Sequence, residues 1–152
     1  MIGKIKPETS KEIDPFTFTA KYKTGIELID SEHRRLFEII KEANELIHAE
    51  FLHDKYDEIL RILNELRNYT ETHFNDEEEF MEKINYPELE AQRKAHSAFI
   101  EKLVNINFAE FDEIDNNQQN YLLELINYLL NWLSNHILGS DLKIGEYVRK
   151  TN

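Results

Sequence analysis

Residues 66–84 read LRNYTETHFNDEEEFMEKI, and this stretch decides the fold. Its apolar positions recur every three or four residues, which is the spacing of one helix face. Two polar side chains, His73 and Glu77, lie in phase with that apolar face. A polar group buried without a partner costs about 1–3 kcal/mol, so this inward placement indicates a site inside a helical protein.

The chain on either side repeats the pattern in three more helical segments. The four predicted segments, with their caps or ends, are Asp30 or Ser31 to about Glu50, Asp54 to about Ile84, Glu88 to Phe111, and Gln119 to beyond His136. They predict an all-α, up-and-down antiparallel four-helix bundle. Residues 1–24 are expected to form an N-terminal arm, and residues 25–152 a single bundle domain with a short C-terminal extension.

The overall composition excludes several function classes. The net charge of −12 gives no electrostatic basis for binding nucleic acid, and it should repel anionic membranes. The chain has no Cys, which excludes disulfides, thiolate metal sites and thiol catalysis. Since neither an apolar signal segment nor a membrane-spanning run is present, we expect a cytoplasmic protein.

Polar residues interrupt the inward face of every predicted helix at one end of the bundle. Because the helices alternate in direction, early positions on the first and third are level with late positions on the second and fourth. The residues expected to converge, here named the polar cluster, are His33, His73, Glu77, Gln92, His96, His136 and Asp141. Of the acidic run at 76–79, only Glu77 is in phase with His73, so the other three side chains are expected to be solvated.

The spacing of His136 and Asp141 requires an irregular helix. Residues five apart on a regular helix point about 140° away from each other. Both side chains can reach one site only if the turn at Ile137–Ser140 widens or bends, and Gly139 permits this. We predict a π-type bulge there, since such bulges often mark functional sites.

The donor types in the polar cluster suit a metal. Imidazole and carboxylate ligands without sulfur fit iron, manganese or zinc. Four histidines and two carboxylates are more than one ion needs, and two carboxylates can each bridge a pair of ions. His48 and His53 lie far from the cluster in sequence and are expected to be surface residues.

At these positions the chain resembles the hemerythrin family in its single-domain bacterial form, over about Phe16 to Tyr147. The matching motifs are Tyr22, Gly25-Ile26, the run from Ile29 to Phe37, Tyr69 to Phe74 with Glu77-Glu78 and Met81, Tyr86-Pro87, and Trp132-Leu133 with His136-Ile137 and Asp141. The resemblance implies two non-heme irons, with O2 binding at an open position on the first. It assigns His33 and His73 to that iron, the third-helix pair and His136 to the other, and Glu77 and Asp141 as bridges.

One residue departs from the family pattern inside the site. The family carries His at both positions of the third-helix pair, whereas this chain has Gln92 followed by His96. Gln92 could bind iron through its carbonyl oxygen, a water could take the place, or Glu88 could swing in from one turn earlier. A smaller departure is Phe18, where the family usually has Trp, and it should affect packing only.

Three functions fit these observations, and the first is the expectation. It is O2 storage, transport or sensing inside apolar walls to which Ile29, Phe37, Leu129 and Leu133 contribute by phase. The second, motivated by Gln92, is a di-iron peroxidase, oxidase or nitric oxide scavenger. The third is a signalling or metal-handling module with a weakened site. A metal-free bundle would instead fold equally well with a chelator present.

Overall fold

The computed structural model describes residues 14–49, 56–105 and 116–151. Its helices are α1 (Glu27–His48), α2 (Tyr56–Lys83), α3 (Leu89–Val104), α4 (Asn116–His136) and α5 (Leu142–Thr151). A 3-10 turn, Ala20–Tyr22, precedes α1, and a π-helical turn, Ile137–Asp141, joins α4 to α5. Within the described ranges there is no strand, and the predicted four-helix bundle is confirmed.

The connection from α2 to α3 has a defined stop signal. Asn85 lies in the left-handed region at φ 56°, where Asn is tolerated better than most residues. The amide of Tyr86 donates to the carbonyl of Met81 at 2.9 Å, and the amide of Asn85 donates to Glu82 at 3.1 Å. This pair of bonds is the Schellman motif, which satisfies the last carbonyls of α2 and turns the chain toward α3.

The prediction that Asp30 or Ser31 caps α1 is wrong. The helix begins at Glu27, so both residues lie inside it. The buried Asp30 carboxylate instead accepts bonds from the Thr24 amide and hydroxyl, both at 2.8 Å, and from the Gly25 amide at 3.1 Å. With Gly25 at φ 89°, these bonds fix the entry of the arm into the bundle.

The other predicted bounds are closer to the structure. α3 ends at Val104, before the predicted end at Phe111, which lies outside the described residues together with Asp54 and His53. α4 begins at Asn116, slightly before Gln119. The predicted short C-terminal extension forms helix α5. The division into an arm of 1–24 and a bundle of 25–152 stays a prediction.

Two apolar clusters lie on either side of the polar cluster. The larger fills the middle of the bundle and its far end, which is the end away from the polar cluster. It includes Leu36, Ile47, Ile62 and Leu122. The smaller consists of the buried Ile29, Met81, Tyr86 and Ile144. On α1, Ile29 precedes His33 and Leu36 follows it, so the helix passes from one apolar cluster to the other through the polar level.

The described part of the arm packs along the bundle. Phe18 and Tyr22 contact Phe37, with ring centroids 6.0 and 4.9 Å away. Phe18 therefore has the packing role expected of it. In the described residues, none of the helices is both long and apolar enough to cross a membrane.

Candidate metal centre

The helices bring the polar cluster together at one end of the core. His33 comes from α1, and His73 and Glu77 come from α2 one turn apart. Gln92 and His96 come from α3. Apart from His136, which ends α4, every member is at most 3% exposed. A group of this polarity at this depth requires partners, since burial without them is costly.

The π-helical turn at Ile137–Asp141 confirms the predicted bulge. The extra residue in this turn lets His136 and Asp141 face the same site although they are five positions apart. Asp141 Oδ1 lies 3.3 Å from His136 Nε2, and Oδ2 lies 3.1 Å from His33 Nε2. One carboxylate therefore reaches toward α1 and α4 at once.

The potential ligand atoms form two groups that share two carboxylates. The first group is His33, His73, Glu77 and Asp141, and the second is Glu77, His96, His136 and Asp141. Within each group the atoms lie within 4.8 Å of one another. Glu77 Oε2 is 3.7 Å from Nε2 of both His33 and His73, while Oε1 is 3.2 Å from His96 Nε2. Each shared carboxylate thus offers one oxygen to each group.

Outer carboxylates orient two of the imidazoles. Nδ1 of His73 donates to Glu32 at 2.8 Å, and Nδ1 of His96 donates to Glu78 at 2.7 Å. A proton on Nδ1 leaves Nε2 with its lone pair directed into the site, which is the usual arrangement behind a metal-binding histidine. The two bonds therefore hold His73 and His96 in the tautomer that a metal ligand requires.

Sequence reasoning did not identify Glu32 and Glu78. Glu78 was expected to be solvated, but its side chain is only 22% exposed because it reaches over His96. The available signal was the chemistry of the histidines, since each metal-binding imidazole needs an acceptor for its second nitrogen. Glu32 directly precedes the inward-facing His33, and Glu78 directly follows the inward-facing Glu77. Both glutamates therefore lie at the edge of the buried face.

Burial and charge set the protonation of the site. Burial lowers the pKa of His73 to about 4, although the nearby Glu77 opposes the shift. Burial alone would raise the pKa of Asp141, but its contacts with His136 and His33 hold it well below the ordinary value. A neutral imidazole and an ionised carboxylate are the forms that bind a metal. A hydrogen bond with Glu32 raises the pKa of Asp76 to about 6.

Several buried atoms have no hydrogen-bond partner among the described residues. They are both ring nitrogens of His33, both carboxylate oxygens of Glu77 and the carbonyl oxygen of Gln92. Such atoms are rare in folded proteins unless an ion or water satisfies them. A cation placed among them would satisfy the oxygens of Glu77 and Nε2 of His33, so the residues present fit a metal.

Gln92 makes one contact inside the cluster. Its amide Nε2 donates to Asp141 Oδ1 at 3.0 Å, and its carbonyl oxygen is left without a partner. Glu88, the third alternative for this position, is exposed one turn earlier on the N-terminal side of α3. A cavity of about 230 Å³ adjoins this corner, with Gln92 and His136 among its lining residues.

Aromatic rings pack on the imidazoles of the second group. Phe74 stacks on His96 with centroids 3.8 Å apart, and Trp132 stacks on His136 at 4.5 Å. Trp132 also stacks on Phe99 at 3.9 Å, which joins α3 to α4. These contacts restrict the rotation of both imidazoles and exclude water from their faces.

A small apolar cavity lies in the bundle interior next to these rings. It measures about 10 Å³, roughly the space of one water-sized sphere. Leu129 and Leu133 line it, as phase predicted, together with Leu36, Phe74 and Trp132. Of the other two predicted wall residues, Phe37 packs on the arm and Ile29 packs in the smaller apolar cluster.

Comparison with known proteins agrees with this architecture. Fold and site together define a helical bundle whose core carries histidines and carboxylates, which are donor types that suit a metal. The sequence matches the family described as Hemerythrin HHE cation binding domain over residues 24–148. The chain therefore belongs to the hemerythrin family.

Individual relatives carry the names bacteriohemerythrin, hemerythrin and myohemerythrin. The chain is 39% identical to a bacteriohemerythrin from Clostridium acetobutylicum over 83% of this chain and 95% of the relative. It is 30% identical to a hemerythrin from Themiste dyscrita and 28% identical to a myohemerythrin from Theromyzon tessulatum. Both of these matches cover 86% of this chain and 91% of the relative.

Proposed function

We propose that this chain holds two non-heme irons in the polar cluster and binds O2 reversibly, for storage, transport or sensing. The observation that carries the proposal is the pair of four-residue groups sharing Glu77 and Asp141. One ion would be held by His33 and His73, the other by His96 and His136, and both by the two carboxylates. Membership of the hemerythrin family supports the same assignment.

Each protein residue has a definable task in this function. The outer carboxylates Glu32 and Glu78 hold His73 and His96 in the tautomer that directs Nε2 inward. Glu77 and Asp141 would supply negative charge to both bound cations. Bound ferrous ions would supply the electron density that reversible O2 binding requires.

The surroundings favour binding over turnover. The small cavity beside the site is lined by apolar side chains and by Thr70, whose hydroxyl already donates to the Leu66 carbonyl at 2.7 Å. Its apolar lining suits a small apolar molecule such as O2 better than water, and its size excludes an organic substrate. We therefore propose a binding protein rather than an enzyme.

The Gln92 position supports a second candidate, a redox protein acting on peroxide or nitric oxide. Gln92 uses its amide nitrogen on Asp141, and that nitrogen has no lone pair for a metal. The second ion would then have fewer strong donors than a third-helix pair of histidines gives. Sustained consumption of peroxide by the iron-loaded protein would favour this candidate.

The test of the leading proposal is an optical spectrum of the protein loaded with ferrous iron under argon. It is recorded before air, after air and after purging with argon. We expect a visible charge-transfer band that appears with air and disappears on purging, together with two irons per chain. Persistent ferric absorption after purging would contradict reversible binding and favour the redox candidate.

Two histidine variants make the test specific. His33→Ala should lose the band because it removes a donor from the first group. His48→Ala should keep it, because His48 is exposed on α1, as predicted, and bonds only the Asn44 carbonyl among the described residues, at 2.9 Å. An unchanged band in His33→Ala with a normal helical circular dichroism spectrum would remove the proposed ligand assignment.

A further inference from the structure

The cavity beside Gln92 connects the polar cluster with the protein surface. Its lining residues come from α3 and the α2–α3 connection on one side, and from the end of α4, the π-helical turn and α5 on the other. They are Tyr86, Glu88, Ala91, Gln92, Ala95, His136, Gly139, Ser140 and Lys143. Glu88, Ala91, Gly139 and Lys143 are exposed, whereas Gln92 is only 3% exposed, so the cavity leads from solvent to the site.

We propose that this cavity is an entrance through which a small monovalent anion reaches a second open coordination position, on the ion held by His96 and His136. The inference rests on the proposed di-iron function and adds a second ligand-binding position to it. It stands on the cavity, on the contacts of Gln92 and on the symmetry of the ligand set.

The two halves of the site offer equal numbers of donors. Each potential ion has two imidazoles and one oxygen from each of the two shared carboxylates. Each half also has one outer carboxylate, Glu32 behind His73 and Glu78 behind His96. An open position on the first ion therefore implies one on the second, unless Gln92 fills it.

The contacts of Gln92 leave that position open. Its amide nitrogen is engaged with Asp141 at 3.0 Å, and its carbonyl oxygen has no partner. A neutral amide oxygen is a weak donor to iron compared with imidazole or a charged ligand. An anion entering from the cavity would thus compete well for the position, and the second amide hydrogen of Gln92 remains available to donate to it.

The charges around the cavity allow a small anion to enter. Lys143 supplies a cation and Ser140 a hydroxyl donor, while the Glu88 carboxylate opposes an anion. Gly139 leaves room for passage, because a Cβ built there meets nothing within 4 Å. A Cβ at this position therefore meets no clash, and a larger side chain would narrow the cavity.

The experiment titrates the iron-loaded diferric protein with azide, a small anion, and follows binding by calorimetry and optical spectra. Iron content is measured in the same samples. We expect two irons and two azide-binding events per chain in the unmodified protein. Gln92→His should show one event, because an imidazole would occupy the second position.

Gly139→Leu tests the route separately from the position. This variant should keep both irons and slow the second azide-binding event about tenfold or more. The control is Asn131→Leu, at an exposed α4 position that does not line the cavity, and it should bind azide as the unmodified protein does. If Gln92→His does not fold, the azide-binding rate of Gly139→Leu alone tests whether the anion enters through the cavity. Glu88→Gln should strengthen or accelerate the second event, since it removes the opposing charge.

The failures of the inference and of the proposed function are distinguishable. Two irons with a single azide event in the unmodified protein would overturn the inference and leave the di-iron site intact. A second event that is unaffected by both Gln92→His and Gly139→Leu would also overturn it. Fewer than two irons per chain would overturn both.

Discussion

The Glu77 side chain is 0% exposed, and neither of its carboxylate oxygens has a hydrogen-bond partner in the described part of the chain. Iron that binds the folded state and not the unfolded state would stabilise the protein. The gain is about 2.7 kcal/mol when the iron concentration is 100 times the dissociation constant. We expect Glu77→Gln to lose most of this iron-dependent stabilisation, because both ligand groups share the residue. Urea unfolding with and without ferrous iron under argon measures the difference.

The matched control for this variant is Glu71→Gln, which changes an exposed side chain on the same helix. It should retain the full effect of iron. Equal stabilisation of both variants by iron would mean that the metal binds outside the polar cluster.

Glu78 and Glu79 provide a second comparison between adjacent residues. Glu78 accepts the Nδ1 hydrogen of His96, whereas the side chain of Glu79 is 71% exposed and pairs with Lys83 at 3.5 Å. We expect Glu78→Ala to weaken iron binding about 10- to 100-fold, since outer partners of metal-binding histidines have effects of this size. Competition with a chelator of known affinity measures the change.

Glu79→Ala should leave iron affinity unchanged, because a solvated ion pair contributes little to stability or to the site. If the two alanine variants bind iron alike, the bond between Glu78 and His96 has no part in preparing the ligand.

Individual residues also show how much of the site could be predicted from the sequence. The cluster members were found because a buried polar group must have a partner, and their helical phase shows on the sequence. Glu32 and Glu78 were missed because they lie at the edge of the buried face, where phase does not decide exposure. The contact between Gln92 and Asp141 could not be predicted from sequence, since it depends on where the π-helical turn places the Asp141 carboxylate.

At the scale of elements, two glycines near the end of the chain differ in what surrounds them. Gly139 faces open space, but a Cβ at Gly145 would lie 2.0 Å from the carbonyl oxygen of Thr24. We expect Gly145→Ala to destabilise the protein by about 1–3 kcal/mol, because the arm must move away from α5. Thermal or urea unfolding measures the loss.

Gly139→Ala is the comparison variant for Gly145→Ala. It should be neutral or stabilising by up to about 1 kcal/mol, because Gly139 does not have a positive φ and alanine loses less backbone entropy than glycine in a helical conformation. A loss of stability at position 139 equal to that at 145 would contradict the close packing of α5 on the arm.

The same scale separates the predictable elements from the others. The π-helical turn was predictable because His136 and Asp141 could not otherwise reach one site. The start of α1 was mispredicted because Asp30 has the residue type of an N-cap, while its carboxylate is used for the Thr24 and Gly25 amides. Local propensity could not show this, since the contact depends on how the arm approaches the helix.

For the whole molecule, the division into polar and apolar levels predicts an uneven response to iron removal. The far end of the core is held by residues such as Ile47, Ile62 and Leu122, all at most 1% exposed and independent of metal. The near end contains the buried carboxylates and imidazoles. We expect chelation to increase amide hydrogen exchange around His33, His73 and His136 much more than around the far end.

Exchange measured by mass spectrometry on the iron-loaded and chelated protein resolves this pattern. A uniform increase along all helices would mean that the bundle opens as one cooperative unit. In that case the apolar far end would not be stable without the metal centre.

The packing of Trp132 on His136 has a practical consequence. The sequence contains a single Trp, and its indole ring lies parallel to this imidazole within 12° at 4.5 Å. Ultraviolet excitation of the protein at the indole band therefore reports from one defined place. A metal ion on the neighbouring ring would quench that emission by energy or electron transfer over less than a nanometre. If iron binds at His136 as proposed, the fluorescence of Trp132 would therefore report iron loading without an added label.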